Sequence, residues 1–308
     1  MNLFLIRIIN LLAIILLSPF FIGLIRKIKA KFQNRKGASL FQPYRDLWKL
    51  FHKDEVVSED ASWIFLFAPY VVFATSIVLS ISIPVFSYNS YGLSSDLLVF
   101  VYVVALGTFF VALAGLDTGG AFGGFGSSRE MLVASLTEAG LILSLFVLAV
   151  ISGTTDIFLI SKSISNLSFL EFLPVLVAFA GFYIAFLAET CRYPFDNPAT
   201  HLELTMIHEA MILEYSGKRL ALIEWASFNK YLLFATVGVN LFFPWGLSFS
   251  FGLYDLVIAF IIFVFKISLL SFSVAYVEST IAKLRLFKLP RLLLTSYVLS
   301  VVAIILIL

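Results

Sequence analysis

Residues 3–25 read LFLIRIINLLAIILLSPFFIGLI and are followed at once by RKIKAKFQNRK at 26–36. The first stretch is long enough to cross a bilayer as a helix, because about 20 mostly apolar residues span the hydrocarbon core of about 30 Å. The second stretch is basic, as is typical of the cytoplasmic side of a membrane segment. The apolar run is too long for a secretory signal and has no small-residue cleavage pattern before Arg26, so we expect it to remain in the protein as a helix.

Seven more apolar runs follow along the chain. They lie near 63–87, 96–115, 131–152, 168–188, 228–250, 253–275 and 289–308. The alternating polar and apolar segments of a transmembrane β-barrel are missing from the sequence. The sequence therefore predicts an all-α integral membrane protein with about eight transmembrane helices, organised as a single polytopic membrane domain over 1–308.

The composition excludes other classes of protein. Of the 308 residues, 61% are hydrophobic and 13% are charged, whereas soluble domains have about 45–50% apolar and about 25% charged residues. The single cysteine, Cys191, cannot form an internal disulfide. A soluble globule, a disordered chain and a disulfide-rich secreted fold are therefore excluded.

The positive charges are distributed asymmetrically between the two sides of the predicted membrane domain. If the loop after the first span is cytoplasmic, 18 of the 21 Lys and Arg residues fall on that side. The positive-inside rule then places both termini on the outer (periplasmic) side. We expect a multi-pass protein of the cell inner membrane, with the lipid bilayer as a partner and no nucleic-acid partner.

The first cytoplasmic loop contains an amphipathic segment. Leu47, Leu50 and Phe51 recur at helical spacing beside Asp46, Lys49 and Lys53. This pattern predicts an amphipathic helix in the membrane interface. Attraction to anionic headgroups is one explanation, and a docking site for a partner subunit is the other; a turn fixed by Gly37 and Pro43 slightly favours docking.

The glycine-rich stretch at 115–126 does not match a phosphate-binding loop, because no Lys-Ser or Lys-Thr follows its last glycine. We expect a sharp re-entrant loop, then a helix capped by Ser127 or Ser128 with Glu130 in its first turn. Glu138 lies two turns further on, where an intramembrane carboxylate is a functional candidate. A neutral Glu138 hydrogen-bonded to a neighbouring helix is the alternative. Other buried candidates are Lys266 and, more weakly, Glu278 and Asp255.

The densest group of ionisable residues lies at 188–217, AETCRYPFDNPATHLELTMIHEAMILEYSG. So many charges cannot lie in an uninterrupted span, so the stretch must face water or a polar cavity, with a surface helix from about 199 to 213. His208 and Glu209 do not begin an HExxH zinc motif, because residue 212 is Ile. We expect coupled carboxylates in this stretch and no metal site.

The sequence resembles the membrane subunit shared by respiratory complex I, where it is called subunit 1 or H, and group 4 nickel-iron hydrogenases, and is most similar to the hydrogenase 4 and formate hydrogenlyase type. The resemblance covers nearly the whole chain. It rests on the SREMLVASLTE segment, on the AE, PFD and EYSG elements in order, and on the basic first loop with Gln42, Pro43, Asp46 and Lys49.

The resemblance implies a non-catalytic subunit of a multisubunit oxidoreductase, with no redox centre and no cofactor of its own. Its implied partners are hydrogenase-like large and small subunits with iron-sulfur clusters and a possible nickel-iron centre, together with antiporter-like membrane subunits; a bound quinone is also possible. The implied proton-coupling residues are Glu138, Glu189, Arg192, Asp196, Glu203, Glu214 and Arg129. The residues implied near a cavity mouth or docking surface are Arg35, Gln42, Asp46 and Lys49.

One departure bears on the kind of complex. Complex I subunits continue after PFD with an acid-rich string, whereas this chain has Asn197, Ala199 and His201 at corresponding positions. The difference favours the hydrogenase type over a quinone-binding subunit of an NADH-quinone oxidoreductase. A purely structural membrane anchor and a free-standing transporter remain alternatives, although no inverted repeat of the transporter kind is found.

Overall fold

The structure is a computed structural model that describes residues 3–87, 95–169, 171–197, 206–248 and 252–307. These residues form helices and no β-strand, which confirms the all-α class. The helices are α1 (Leu3–Phe32), α2 (Gln42–Phe51), α3 (Trp63–Ser82), α4 (Leu97–Asp117), α5 (Ala121–Ser152), α6 (Ile157–Ile164), α7 (Leu173–Glu189), α8 (His208–Ile212), α9 (Gly217–Leu241), α10 (Leu253–Thr280) and α11 (Leu289–Ile305).

Eight of these helices coincide with the eight apolar runs of the sequence. Six of them, α1, α3, α4, α5, α10 and α11, are long and apolar enough to cross a membrane. Helix α7 is apolar but has only 17 residues, and α9 begins at Gly217, 11 residues before the predicted run. The membrane-protein class is therefore supported, while the count of eight spans and the outward termini stay predictions.

Helix α9 is the central element of the bundle. Every residue from Tyr231 to Leu241 is buried, as expected for a helix that is enclosed on all sides. Six helices pack against it, namely α1, α2, α3, α6, α7 and α10. The polar side chains that α9 carries must therefore find partners inside the protein.

The glycine-rich stretch is not a re-entrant loop, and this expectation was wrong. Helix α4 turns at Gly119, whose φ of +65° suits glycine, and α5 begins at Ala121 with Gly120 as its N-cap, not Ser127 or Ser128. A Cβ on Gly123 would lie 2.1 Å from the Gly115 carbonyl oxygen, so the glycines let α4 and α5 pack backbone to backbone. Because α5 begins at Ala121, Glu130 lies well inside this helix instead of in its first turn.

The predicted amphipathic helix is confirmed as α2, with Pro43 and Leu47 buried and Trp48 exposed. Of the surface helix expected near 199–213, the structure describes only α8, and residues 198–205 lie outside the described part. At one end of the bundle, the connecting segments contact one another. We call this the charged end; it includes α2, α8 and the α10–α11 connection, and it comprises 26–62, 116–120, 189–197, 206–217 and 281–288. The opposite end contains 83–87, 95–96, 153–169 and 242–248.

Candidate functional site

A cavity of about 60 Å³ lies between α3, α4, α5 and α9, close to the charged end. This volume has room for a few water molecules, at roughly 10–15 Å³ each. The ionisable side chains that line it are Glu130, Glu189, Cys191, His208 and Lys230, and the hydroxyl groups that line it are those of Thr75, Ser76, Thr108, Thr190 and Ser227. Two carboxyl groups and one ammonium group therefore share one small internal space.

Glu189 and Lys230 form a buried ion pair on this cavity. Lys230 Nζ lies 2.8 Å from Glu189 Oε1, and the glutamate side chain is only 3% exposed. Lys230 also donates to Thr108 Oγ1 at 3.1 Å, and the threonine hydroxyl donates to Glu189 Oε1 at 3.4 Å. One charged group of each sign and a hydroxyl thus hold the end of α7 to the middle of α4 and the middle of α9.

Glu130 is the second carboxyl on the cavity. The residue is 8% exposed, and its carboxyl makes no hydrogen bond within the described residues. Burying a charged carboxylate without a partner is costly, and the group tends to neutralise instead. Glu130 is therefore the acid of this cavity that is most open to proton uptake from water.

His208 and Cys191 complete the cavity as neutral groups. Burial, and next the positive charge of Lys230, lower the pKa of His208 to about 4, although Asp196 acts in the opposite direction. Burial, with Glu130 as the next contribution, raises the pKa of the Cys191 thiol. Near pH 7 the imidazole and the thiol therefore add no charge to the cavity.

Asp196 links the cavity to the surface of the charged end. Its carboxylate pairs with Lys283 and accepts hydrogen bonds from the backbone N–H groups of Asn197, Ile207 and His208 at 2.8, 3.3 and 3.1 Å. One buried side chain thus joins the loop after α7, the start of α8 and the α10–α11 connection.

Glu278 is the centre of a second buried ion group. Its carboxylate, 0% exposed, lies 2.7 Å from Lys29 Nζ and 3.2 Å from Arg192 Nη1. The Arg192 guanidinium also lies 5.0 Å from the centre of the Tyr231 ring, within cation–π range. This group ties α1, α10, α9 and the loop after α7 together.

A third group of charges lies between α1, α2, α8 and α9. Gln42 donates to Asp46 at 2.8 Å, and Asp46 lies 3.7 Å from Arg26. Burial, and next the charges of Glu224 and Asp196, raise the pKa of Glu209 to about 7, while Arg26 acts in the opposite direction. Glu209 therefore titrates close to neutral pH.

The structure places the predicted coupling residues in different settings. Glu189, Arg192 and Asp196 belong to the buried ion groups described above. Glu138 is half-buried on α5, away from the cavity lining but close enough to Glu189 and Lys230 to interact electrostatically. Arg129 donates to the Met206 carbonyl oxygen at 3.0 Å.

The remaining predicted residues lie at the surface or outside the described part. Glu214 is exposed beside Gly120 in the α4–α5 turn. Of the predicted docking residues, Gln42 and Asp46 form the bonds given above, while Arg35 and Lys49 are exposed. Glu203 lies outside the described residues.

Sequence reasoning missed Lys29, Lys230 and Lys283 as members of buried ion pairs, and it ranked Glu278 too low. It also missed Glu130 as a carboxyl group of the cavity. Glu130 was assigned to a helix end because the start of α5 was misplaced. Lys230 was counted among the charges of a cytoplasmic loop because α9 was expected to begin at 228. Ala226, Leu233 and Phe234 flank Lys230 at helical spacing, and this mostly apolar face is a local signal that predicts burial of the lysine.

Lys266, which the sequence also offered as a candidate, has different partners. Its ammonium donates to the Val239 and Phe243 carbonyl oxygens and to Asn240 Oδ1 at 3.0, 2.7 and 2.9 Å. All three acceptors lie at the last turn of α9 or just beyond it, so Lys266 stabilises the end of that helix. Within the described residues, no three His, Cys, Asp or Glu side chains come together to hold a metal ion.

The fold and the site define a polytopic helical membrane protein with a buried network of acids and bases at one end of its bundle. The model of the family described as NADH dehydrogenase matches residues 5–308. The chain therefore belongs to this family, that of complex I subunit 1 or H, and the resemblance found in the sequence is confirmed.

Individual relatives are named as components or subunits of larger enzymes. The chain is 34% identical to hydrogenase-4 component C of Escherichia coli, over 88% of this chain and 85% of that protein. It is 30% identical to formate hydrogenlyase subunit 4 of the same organism, over 92% of both. It is 28% identical to the H subunit of the NADH-quinone oxidoreductase of Rickettsia prowazekii, over 87% of this chain and 80% of that protein.

A solved structure shows the same fold. A chain of the membrane-bound sulfane sulfur reductase, an archaeal respiratory membrane complex, superposes with a TM-score of 0.81 at 18% identity and covers 99% of both chains. The relatives are components of multisubunit oxidoreductase complexes, which agrees with the membrane-subunit class predicted from the sequence.

Proposed function

We propose that this chain is the membrane-anchor subunit of a membrane-bound hydrogenase or complex I-like oxidoreductase in the cell inner membrane. In this role it docks an arm of iron-sulfur subunits at its charged end and couples electron transfer in that arm to translocation of protons, or of Na⁺, through buried carboxyl groups. The observation that carries the proposal is the cavity shared by Glu130, Glu189 and Lys230. The two hydrogenase-type relatives, at 34% and 30% identity, favour the hydrogenase kind of complex.

The charge balance of the cavity makes it able to hold one mobile proton. With both carboxyls ionised, one ammonium leaves the cavity with one net negative charge in surroundings of low dielectric. Uptake of one proton by Glu130 or Glu189 removes that charge, so the two carboxyl groups can share a single proton. The few waters that fit in the cavity would connect the two carboxyl groups.

Electron transfer in a docked arm can move this proton through its electric field. A unit charge about 12 Å away changes the energy of a buried carboxylate by about 1.4 kcal/mol at an effective dielectric constant of about 20, which is about one pKa unit. Asp196 and Lys283 lie between the surface of the charged end and the cavity. The field of an electron at the docked face therefore acts on the carboxyls without any bond to the redox centre.

Glu138 provides the next acceptor in the proposed relay. It follows Glu130 on α5 by eight residues, which is about 12 Å along a helix. It is half-buried, so it can pass a proton to water or to a neighbouring membrane subunit. Arg129, Arg192 and Asp196 would set the field around this route, and Glu203 is proposed as a relay member on the resemblance alone.

The relay is tested by Glu189→Gln and Glu130→Gln in the whole complex, reconstituted in liposomes. We expect electron transfer to continue while proton translocation per electron falls at least severalfold, because an amide cannot carry the proton. Glu171→Gln is the matched control, since Glu171 lies at the other end of α7 and is exposed. Unchanged translocation in both variants, with the control also unchanged, would leave a structural anchor as the better description.

The docking claim has a separate test. Arg35, Lys49 and Glu214 are exposed at the charged end. We expect Arg35→Glu combined with Lys49→Glu to lower the amount of peripheral subunits that copurify with the membrane subunit, because long-range charge complementarity guides association. The control is Lys162→Glu, which reverses a charge at the opposite end. Equal recovery of the arm in all three proteins would contradict docking at this surface.

A further inference from the structure

A long apolar groove of about 490 Å³ runs along α10, on the side that faces α7. Phe179 and Tyr183 of α7 form one wall, Leu269 and Tyr276 of α10 form the other, and Val239 and Phe243 form the floor. The Tyr183 and Ser273 hydroxyls bond each other at 3.0 Å. The Lys266 ammonium is directed to the end of α9, so the polar groups of this lining are already satisfied.

The dimensions of the groove suit one hydrocarbon chain. Its lining on α10 runs from Phe265 to Val277, which is about 18 Å at about 1.5 Å per residue. One leaflet of a bilayer is about half of the 30 Å hydrocarbon core, or about 15 Å. A hydrocarbon chain that spans one leaflet therefore matches the length of the groove.

The two ends of the groove differ in charge. Val277 lies near the end of α10, and the connection that follows contains Lys283, Arg285 and Lys288, of which the last two are exposed. The other end, at Phe243 and Phe265, is apolar. Basic residues at a membrane surface attract anionic lipid headgroups by about 1 kcal/mol each.

We propose that this groove is a binding site for one anionic phospholipid, with an acyl chain between α7 and α10 and its headgroup beside Arg285 and Lys288. The inference does not depend on the coupling function. Helix α10 packs mainly against α1 and α9, so an acyl chain fills the space on its remaining side. Because α10 carries Glu278, the lipid supports the helix that holds the buried Lys29–Glu278–Arg192 group.

Native mass spectrometry of the purified complex tests the site. The complex is taken from nanodiscs of phosphatidylglycerol and phosphatidylcholine through a delipidating detergent wash. We expect the wild type to keep one phosphatidylglycerol that Leu269→Trp loses, because the indole occupies the groove. Ile261→Trp is the matched control, since Ile261 is similarly exposed on α10 but does not line the groove. Equal retention by the two variants, or a retained free fatty acid or phosphatidylcholine, would overturn the proposal.

A second measurement needs no variant. In a cryo-electron microscopy map of the wild-type complex in nanodiscs, we expect a tubular density without side chains that follows α10 from Phe265 to Val277 and widens beside Arg285. Helical density from a neighbouring subunit in the groove, or an empty groove, would contradict a bound phospholipid. This map of the wild-type complex tests the proposal even if the Leu269→Trp variant fails to assemble.

Discussion

Lys230 and Lys266 lie in the middle of two neighbouring helices, α9 and α10. The ammonium groups of both residues bind partners inside the bundle, but these partners differ in chemical kind. Lys230 pairs with the Glu189 carboxylate on a polar cavity, whereas Lys266 binds three uncharged oxygens at the end of α9. The partners of Lys230 can gain or lose a proton, and those of Lys266 cannot. A buried charge is therefore a candidate for proton coupling only where its partners titrate.

The largest effect is expected from Lys230→Met. Removing one member of a buried ion pair costs about 3–5 kcal/mol, because the other charge is left without a partner. Glu189 can escape this cost by binding a proton from the cavity. We therefore expect the loss of stability to be large at pH 8 and much smaller at pH 5, measured as the thermal unfolding midpoint in detergent.

The pH dependence is the diagnostic part of this prediction. The double variant Lys230→Met with Glu189→Gln should recover much of the stability at pH 8, since no unpaired charge remains. A loss of stability that is equal at both pH values would mean that Glu189 does not exchange protons with the cavity. Glu189 would then not be a member of the proposed relay.

A somewhat smaller and pH-independent effect is expected from Lys266→Met. The change leaves three buried acceptors without donors, at about 1 kcal/mol or more each, so we expect a loss of about 3 kcal/mol at both pH 5 and pH 8. In the fraction of complex that assembles, proton translocation per electron should stay at the wild-type value. Reduced translocation would place Lys266 in the relay and remove the distinction between the two lysines.

Hydropathy predicted the eight long helices from the sequence, because an apolar helix leaves a local signal in its own residues. The ion groups left no such signal, because their members are far apart in the chain: Lys29 and Glu278 come from the first and the seventh long helix. Glu189, Arg192 and Asp196 could be predicted as candidates since they crowd into one stretch, but their partners could not. The sequence also placed the start of α9 too late, at 228 instead of Gly217. The first half of this helix contains charged residues such as Arg219 and Glu224, so it gives no hydropathy signal of its own.

An intermediate effect on acid stability is expected at His208. Its pKa is about 4 in the folded protein and about 6.5 when unfolded, so the unfolded state binds the proton more tightly. This contribution to stability is full above pH 6.5 and is lost as the pH falls toward 4, by on the order of 2 kcal/mol at pH 5. His208→Gln should flatten the fall in unfolding temperature between pH 7 and pH 5. An equally steep fall in the variant would mean that groups other than His208 account for the acid sensitivity.

The smallest effect is expected from Glu214→Gln. Glu214 shares its residue type with Glu189 and lies in the same charged stretch, but it is exposed, and surface substitutions usually change stability by no more than about 0.5 kcal/mol. We expect the unfolding midpoint of the membrane subunit to stay unchanged from pH 5 to pH 8, while Glu189→Gln shifts it. If Glu214 acts at all, it acts through the docked arm, so the amount of copurified arm is the measurement that would respond. If Glu214→Gln instead changes the stability of the isolated subunit in a pH-dependent way, Glu214 belongs with the buried acids. Exposure of the side chain would then no longer distinguish docking residues from relay residues.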